Sequence, residues 1–210
     1  MKDATKKVGP ARTARTLWEG VSLRVDAGER VCLTGPSGCG KSTLLNCVGL
    51  LDTLDGGSLS LLGADLTRAS ARARMRVRRH DIGYLFQDYA LIDNDTVEEN
   101  VALACARGGV GRNRRRIDEA LEIVGLGGRQ KDVVYQLSGG EQQRVAVARV
   151  LVRRPSIILA DEPTASLDRE NAALVLDQLA RCAEQGAAVL MVSHDPWAAD
   201  HCDRKVAISQ

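Results

Sequence analysis

Short apolar runs alternate with longer amphipathic or alanine-rich segments along most of the chain. The runs have the length of strands and are apolar throughout, which is typical of a parallel sheet with both faces covered. We expect strands at 31–34, 59–62, 82–86, 157–160 and 187–192. We expect helices from residue 42 onwards and at 68–79, 96–107, 115–124, 138–152 and 171–184, with Gly109 and Gly111 in the break before 115. The alternation predicts an α/β fold, which a helix-rich segment at about 88–150 interrupts.

The composition is that of an ordinary globular protein. Of 210 residues, 44% are hydrophobic and 27% charged, which excludes a disordered or fibrous chain. The net charge of +2 gives no overall field of the kind that nucleic-acid-binding proteins carry. No apolar run is long enough to cross a bilayer, and none follows Met1 as in a secretory signal. We therefore expect a soluble, cytoplasmic protein whose six cysteines, none in a C-x-x-C pair, are reduced thiols.

A glycine-rich loop follows the strand predicted at 31–34. Its residues, in the pattern G-x-x-x-x-G-K-[ST], are Gly35, Pro36, Ser37, Gly38, Cys39, Gly40, Lys41 and Ser42, with Thr43 next. Between a buried strand and a helix, this pattern is typical of a phosphate-binding loop, whose backbone N–H groups converge on phosphate oxygens. Lys41 would reach the β- and γ-phosphates of a ligand, and the Ser42 hydroxyl would coordinate Mg²⁺. A structural glycine turn is the alternative, but it requires no Lys-Ser pair there.

Two acids, Asp161 and Glu162, end the strand predicted at 157–160. A buried strand that ends in paired carboxylates indicates a cation or a reaction at that place. We expect Asp161 to bind Mg²⁺ through water, and Glu162 to orient or deprotonate an attacking water molecule. Solvated loop acids are the alternative, but the phosphate loop earlier in the chain favours catalysis.

A pair of glycines opens the helix predicted at 138–152, in the segment Leu137, Ser138, Gly139, Gly140, Glu141. Ser138 and Glu141 by themselves would form a capping box, in which each side chain bonds the other residue's backbone N–H. That alternative leaves the glycines unexplained, because glycine is unfavourable near a helix start. The glycines would instead clear the helix N-terminus so that its N–H groups can meet an anion.

In these motifs and their order, the chain resembles the ATP-binding-cassette ATPases over nearly its whole length. The resemblance implies that Gln87 is the Q-loop glutamine, that residues 166–168 are the D-loop, and that His194 is the switch histidine. It implies Glu162, His194, Lys41 and Gln87 as catalytic residues, and Ser42, Gln87 and Asp161 as Mg²⁺ ligands. Whether Glu162 moves the proton alone or together with His194 stays open.

The resemblance also implies the fold and the assembly. It implies one nucleotide-binding domain, 1–210, with a RecA-like P-loop NTPase core at 1–87 and 151–210. To this core belong a parallel sheet, a small N-terminal antiparallel β part and an inserted helical subdomain at 88–150. In this family two cassettes enclose two ATP molecules, so the implied partner is a second copy or a related cassette. Ser138, Gly139, Gly140 and Glu141 would then bind the nucleotide on the partner's phosphate loop.

One position departs from the family pattern. The family has an aromatic residue upstream of the phosphate loop to stack on adenine, and residues 6–16 contain none. Trp18 is the nearest aromatic residue, but the segment 17–23 around it aligns with a later strand. We therefore expect weak base stacking and loose nucleotide selectivity.

Three functions are compatible with this site: the ATPase subunit of a transporter, a soluble cassette acting on ribosomes or DNA, and another P-loop enzyme such as a small-molecule kinase. A kinase does not explain the signature. DNA-repair cassettes carry a long coiled coil, for which the segment between Gln87 and Ser138 is too short, and ribosome-acting cassettes usually come in pairs on one chain. We therefore expect ATP hydrolysis coupled to transport, with an integral-membrane permease as partner on the cytoplasmic face of the membrane and no nucleic acid.

Residues 84–101 and 160–168 are similar to bacteriocin exporters of the lactococcin-972 group, which is close to the lipoprotein-release and macrolide-efflux cassettes. The resemblance implies export of a bacteriocin, a peptide or a lipid-linked substrate, with the surface around 87–97 docking a cytoplasmic helix of the permease. The basic clusters 72–79 and 112–116 are expected to be solvated faces or loops. We expect oxidation or alkylation of Cys39, in the phosphate loop, to block ATP binding.

Overall fold

The structure, a computed structural model, describes residues 1–10, 13–105 and 109–208. Its strands are β1 (Lys2–Val8), β2 (Arg15–Val21), β3 (Arg30–Thr34), β4 (Gly56–Ser58), β5 (Ser60–Leu61), β6 (Ala64–Asp65), β7 (Ile82–Leu85), β8 (Ile157–Asp161), β9 (Ala188–Val192) and β10 (Arg204–Ala207). Its α-helices are α1 (Lys41–Val48), α2 (Ala71–His80), α3 (Val97–Ala102), α4 (Gly109–Ile123), α5 (Gly139–Leu151), α6 (Arg169–Glu184) and α7 (Pro196–Ala199), with a 3-10 turn at Val134–Gln136.

Five strands form the parallel sheet that the apolar runs predict, in the order β10-β3-β9-β8-β7. Its register pairs Val31 with Leu190 and Asp161 with Val192, so the carboxyl ends of β3, β8 and β9 lie along one edge. Loops that leave this edge carry the phosphate loop, the two acids and His194. The order of the strands therefore collects the candidate chemistry at one place.

Both faces of the parallel sheet are covered, as the uniformly apolar strands predict. Along β8, Ile158 and Ala160 belong to one buried cluster, whereas Ile157 and Leu159 belong to another. The first cluster includes the apolar faces of α4, α5 and α6. The second includes α1 and the N-terminal strands. This alternation confirms the α/β class with a doubly covered sheet.

A smaller antiparallel sheet, in the order β2-β1-β4, precedes and flanks the parallel one. It is the small N-terminal β part that the resemblance implies. The strand predicted at 59–62 is wrong in extent, because only Ser60 and Leu61 form a strand there. They pair with β6 in a separate hairpin, since Leu62 and Gly63 turn the chain with positive φ values of 51° and 80°.

The helices follow the predicted segments, with two corrections. The helix predicted to begin at residue 115 begins at Gly109 and runs through Gly111. Buried apolar residues such as Ile117 and Leu121 stabilise it, which offsets the poor helix propensity of glycine. The helix predicted at 96–107 is shorter, since α3 ends at Ala102. Residues 106 and 107 of that prediction lie outside the described part of the chain.

Within the described ranges, no helix combines the length and the apolar composition that a membrane span requires.

Candidate functional site

The predicted phosphate loop is a tight turn between β3 and α1 whose backbone favours glycine at three positions. Gly35, Gly38 and Gly40 have φ values of 144°, 75° and 94°. A Cβ atom on Gly35 would also overlap the carbonyl oxygen of Ile208. Gly40, with a left-handed backbone conformation, is the residue before α1, so the phosphate loop leads directly into the N-terminus of that helix.

Lys41 lies across the phosphate loop. Its ammonium group donates to the carbonyl oxygens of Gly35, at 2.9 Å, and Pro36, at 3.0 Å, and the residue is only 5% exposed. The backbone thus holds one positive charge inside the turn where the motif predicts phosphate binding.

Trp18 packs against the phosphate loop at Gly40, a role that the sequence did not indicate. It is 1% exposed, and its indole N–H donates to the carbonyl oxygen of Gly40 at 3.3 Å. A Cβ atom on Gly40 would lie 2.9 Å from the indole nitrogen. The ring is therefore packed beneath the turn and cannot stack on a base, which agrees with its expected position in a strand rather than at the adenine site.

Ser42 and Asp161, predicted separately as magnesium ligands, are in direct contact. The Ser42 hydroxyl donates to Oδ1 of Asp161 at 2.9 Å. Burial raises the pKa of Asp161, and the Ser42 hydroxyl opposes this by donating to the carboxylate. Among the described residues no group of three or more His, Cys, Asp or Glu side chains could hold a metal. A hydroxyl and one carboxylate nevertheless fit Mg²⁺, which is usually bound through one or two protein oxygens, water and substrate phosphates.

Gln87 lines the same opening as Asp161. Gln87, Asp161 and Ser166 line one open cavity together with Tyr84. Tyr84 is fixed there, because its hydroxyl donates to Oδ1 of Asn46 in α1 at 2.9 Å. The cavity is therefore bordered by the predicted Q-loop, by Asp161 at the end of β8 and by the predicted D-loop, at the edge of the sheet.

Glu162 and His194 face each other beside these groups. The backbone N–H of His194 donates to Oε2 of Glu162 at 3.3 Å, and His194 Nε2 lies 3.5 Å from Oε1. Oε1 itself is buried and accepts no hydrogen bond from the described residues. Burial raises the pKa of Glu162, against the opposing effect of the His194 N–H. The backbone of Glu162 is left-handed, with φ at 48°, a strained conformation of the kind found at active sites.

The signature residues form the capping box that was the alternative interpretation. Ser138 donates from its backbone N–H and from its hydroxyl to Oε2 of Glu141, each at 2.8 Å, and Glu141 also pairs with Arg129. Gly140 is close to α6, since a Cβ atom there would lie 3.0 Å from the side chain of Asn171. The Glu141 carboxylate thus bonds to Ser138 and Arg129 of its own chain. The close approach of Asn171 is one reason for a glycine at position 140.

The structure brings together all predicted site residues except the signature. Lys41, Ser42, Gln87, Asp161, Glu162 and His194 lie at the carboxyl edge of the parallel sheet. In the described part of the chain, the hydrogen bonds of residues 138–141 do not reach the phosphate loop. A single chain therefore has a loop with catalytic candidates, and a separate helix N-terminus.

Cys39 is 1% exposed, which changes the expectation for its thiol. The sulfur points beneath the loop, 3.9 Å from the Lys41 ammonium. A modifying reagent would reach it only after the loop opens. All six cysteines are free thiols, as predicted.

Comparison with known proteins gives concordant matches. The sequence profile of the family described as "ABC transporter" matches residues 18–165. The chain is 44% identical over 192 residues to the lipoprotein-releasing system ATP-binding protein LolD 2 of Caulobacter vibrioides, covering 90% of this chain and 84% of that protein. It is 40% identical over 192 residues to the macrolide export ATP-binding/permease protein MacB of Shigella flexneri, covering 90% of this chain but 30% of that protein.

The fold matches solved structures equally well. The dimeric ATP-binding cassette MJ0796 in a post-hydrolysis state, bound to ADP and Pi, superposes with a TM-score of 0.91 at 34% identity. The alignment covers 99% of this chain and 93% of that chain. A second dimeric structure of MJ0796, described as a bacterial ABC transporter cassette, gives a TM-score of 0.90 at 35% identity, covering 99% and 92%.

Proposed function

The chain belongs to the ABC transporter family, and from this premise we propose how its ATPase site drives a membrane permease. It is the ATPase subunit of a transporter, so the family resemblance and the predicted enzyme class are confirmed. A soluble cassette acting on ribosomes or DNA is not favoured. The observation that carries the proposed mechanism is the buried, unpartnered Oε1 of Glu162 beside His194.

Phosphate binding falls to the loop between β3 and α1. Its N–H groups and the α1 N-terminus hold the β- and γ-phosphates of ATP, and the Lys41 ammonium exchanges its carbonyl partners for phosphate oxygens. Ser42, Asp161 and Gln87 are the residues that would hold Mg²⁺, which neutralises the charge that develops on the phosphates.

Glu162 is the proposed general base. A water molecule that donates to its free Oε1 is oriented towards the γ-phosphate and transfers its proton to that oxygen as it attacks the γ-phosphorus. The bond between the γ-phosphorus and the β,γ-bridging oxygen breaks in the same step, and ADP leaves. The raised pKa brings the carboxylate closer to the working pH, which makes it a stronger base. His194 fixes Oε2 through its backbone N–H and uses its half-exposed ring to contact the γ-phosphate.

The second part of the site comes from another copy. Ser138, Gly139 and Gly140 begin α5 and lie apart from the loop of their own chain, so we propose that they bind the γ-phosphate on a partner's loop. The capping box supports this role, because it fixes the helix N-terminus in advance. The relatives of known structure are dimeric cassettes.

The permease is proposed to dock in a groove beside the Q-loop, which we call the docking groove. It is lined by Gly49, Leu51, Arg78, Ile82, Gly83, Tyr84, Phe86, Leu103, Ala104, Arg149, Val150 and Arg153. Leu51 and Leu103 are exposed apolar residues there, at 48% and 59%. An amphipathic helix fits such a groove. Because Phe86 and Gln87 are adjacent, docking would act directly on the Q-loop, and the segment 88–150 would move as a helical subdomain.

Export is the proposed direction, and a lipid-linked or peptide substrate, including a bacteriocin, is the proposed cargo. The relatives named for lipoprotein release and macrolide export support export. The proposed location is the cytoplasmic face of the cell membrane. The test is to co-purify the chain with a candidate permease subunit of the same organism and to measure ATP hydrolysis: stimulation is expected, and an unchanged rate would contradict the coupling.

A further inference from the structure

Helix α2 carries charges that neither the fold nor the nucleotide site uses. Its sequence, ARARMRVRRH, contains five arginines and no acidic residue. Two of the arginines are structural: Arg74 and Arg78 donate to the carbonyl oxygen of Leu50, which fixes α2 against the end of α1. The remaining arginines point elsewhere.

The outward residues Arg72, Met75, Arg76 and Arg79, at positions i, i+3, i+4 and i+7, lie on one face that we call the basic stripe. All four residues are exposed, Met75 at 54%. Within the described chain, neither Arg72 nor Arg76 has a hydrogen bond or an acidic group within ion-pair distance. Arg72 and Arg76 therefore carry positive charge that the described part of the chain does not compensate.

This arrangement works against the helix itself. Arg72 is the second residue of α2, where the helix dipole disfavours a positive charge, and Arg72 and Arg76 repel each other at i,i+4. In other helices, Arg115 and Arg181 each pair with an acidic residue at that spacing, Arg115 with Glu119 and Arg181 with Asp177. A locally unfavourable pattern without internal compensation indicates an external partner.

We propose that the basic stripe binds the anionic phospholipid headgroups of the membrane surface. Guanidinium groups pair with phosphate in two parallel hydrogen bonds, and a ridge of them suits a plane of phosphates better than a single small anion. The exposed Met75 between the arginines adds an apolar group that can enter the boundary between headgroups and acyl chains.

The position of α2 supports a membrane rather than another surface. Arg78, on the inner side of the helix, lines the docking groove. If a permease helix occupies that groove, α2 lies beside the membrane-embedded subunit and therefore close to the bilayer; this step alone rests on the proposed function. Contact with lipid would then help to hold the ATPase against its permease. This is a role separate from ATP hydrolysis.

The test measures co-sedimentation of the full chain with vesicles of phosphatidylglycerol and phosphatidylcholine in equal amounts, at low salt, and with vesicles of phosphatidylcholine alone. Binding is expected only to the anionic vesicles. The variant Arg72→Gln with Arg76→Gln should bind them at least tenfold more weakly, because each arginine near an anionic leaflet contributes about a factor of five. The matched control, Arg112→Gln with Arg115→Gln in α4, removes the same charge and should change binding less than twofold.

Equal weakening in both variants would show a net-charge effect and overturn the proposal, as would no binding to anionic vesicles. If the α2 variant keeps vesicle binding but loses stimulation by the permease, the stripe binds a protein segment and the lipid proposal is wrong. ATP hydrolysis by the chain alone should be unchanged in the α2 variant. Lys41→Ala should lose hydrolysis and keep vesicle binding, which separates a failure of this proposal from a failure of the nucleotide site.

Discussion

The Ser42 hydroxyl donates a hydrogen bond to Asp161 across 2.9 Å, although 119 positions separate the two residues in the chain. The contact joins the first turn of α1 to the end of β8, and so connects the phosphate loop to the acidic edge of the sheet. Two oxygen donors that the motifs suggest independently thus meet at one point.

Removing one of these oxygens should raise the magnesium requirement. We expect Ser42→Ala to increase the Mg²⁺ concentration for half-maximal ATP hydrolysis about tenfold or more, because a small cation retains few protein ligands to replace a lost one. A titration of hydrolysis with Mg²⁺ measures this. The control is Ser37→Ala, which removes a hydroxyl from the same loop but leaves the hydrogen bond between Ser42 and Asp161 in place. Equal shifts of the Mg²⁺ requirement in both variants would refute the assignment.

Trp18 should affect nucleotide binding without touching nucleotide. Trp18→Phe removes the N–H donor to Gly40, which should weaken ATP binding about fivefold, since a hydrogen bond contributes about 1 kcal/mol. Trp18→Ala should also destabilise the fold by about 3–5 kcal/mol through the cavity it leaves. Binding titrations and urea denaturation test both. Trp197→Phe, on the half-buried second tryptophan, should leave ATP affinity unchanged.

The parallel sheet could be predicted from the sequence because β3, β8 and β9 are apolar at nearly every position. The N-terminal strands gave no such signal: β1 reads KDATKKV, and its two buried positions are Ala4 and Lys6, a lysine whose charge pairs with Asp52. β10 has one large apolar residue, Val206, and forms through pairing with β3. Tertiary pairing, rather than local pattern, determines these strands.

Those residues of the candidate site that belong to a sequence motif could be predicted. The contacts that support them could not. The positions of Lys41, Asp161 and Glu162 follow from the ends of predicted elements. The support from Trp18 could not be predicted, because the contact depends on how a distant strand passes beneath Gly40. The left-handed backbone of Glu162 likewise depends on its N–H bond to Val192 O, at 3.0 Å, in a neighbouring strand.

Stability should respond to Glu162 in a pH-dependent way. Burial raises the pKa of Glu162 and of Asp161 above the unfolded values, so the folded chain binds more protons between the two values. Stability therefore falls as pH rises through that window. Glu162→Gln, which is neutral at every pH, should melt at a higher temperature than the native protein at neutral pH. The difference should shrink as the solution is acidified; a variant less stable at neutral pH would contradict this.

Nucleotide selectivity should be loose. A stacked base contributes about 1–3 kcal/mol, and with Trp18 buried no aromatic residue upstream of the loop is available for it. We expect the dissociation constants for ATP and GTP to agree within about tenfold. Competition of each nucleotide against a fluorescent analogue measures the ratio. A preference for ATP of more than a hundredfold would show that another group recognises adenine.

The most direct test of the whole account is the oligomeric state of Glu162→Gln with ATP. If Glu162 is the base and two loops meet two signatures, this variant binds ATP, closes the dimer and does not hydrolyse. Gel filtration at saturating ATP and Mg²⁺ should then give a dimer that reverts to monomer when ATP is removed. Adding Ser138→Phe at the signature should abolish the dimer while keeping ATP binding. A Glu162→Gln chain that binds ATP and stays monomeric would contradict the account.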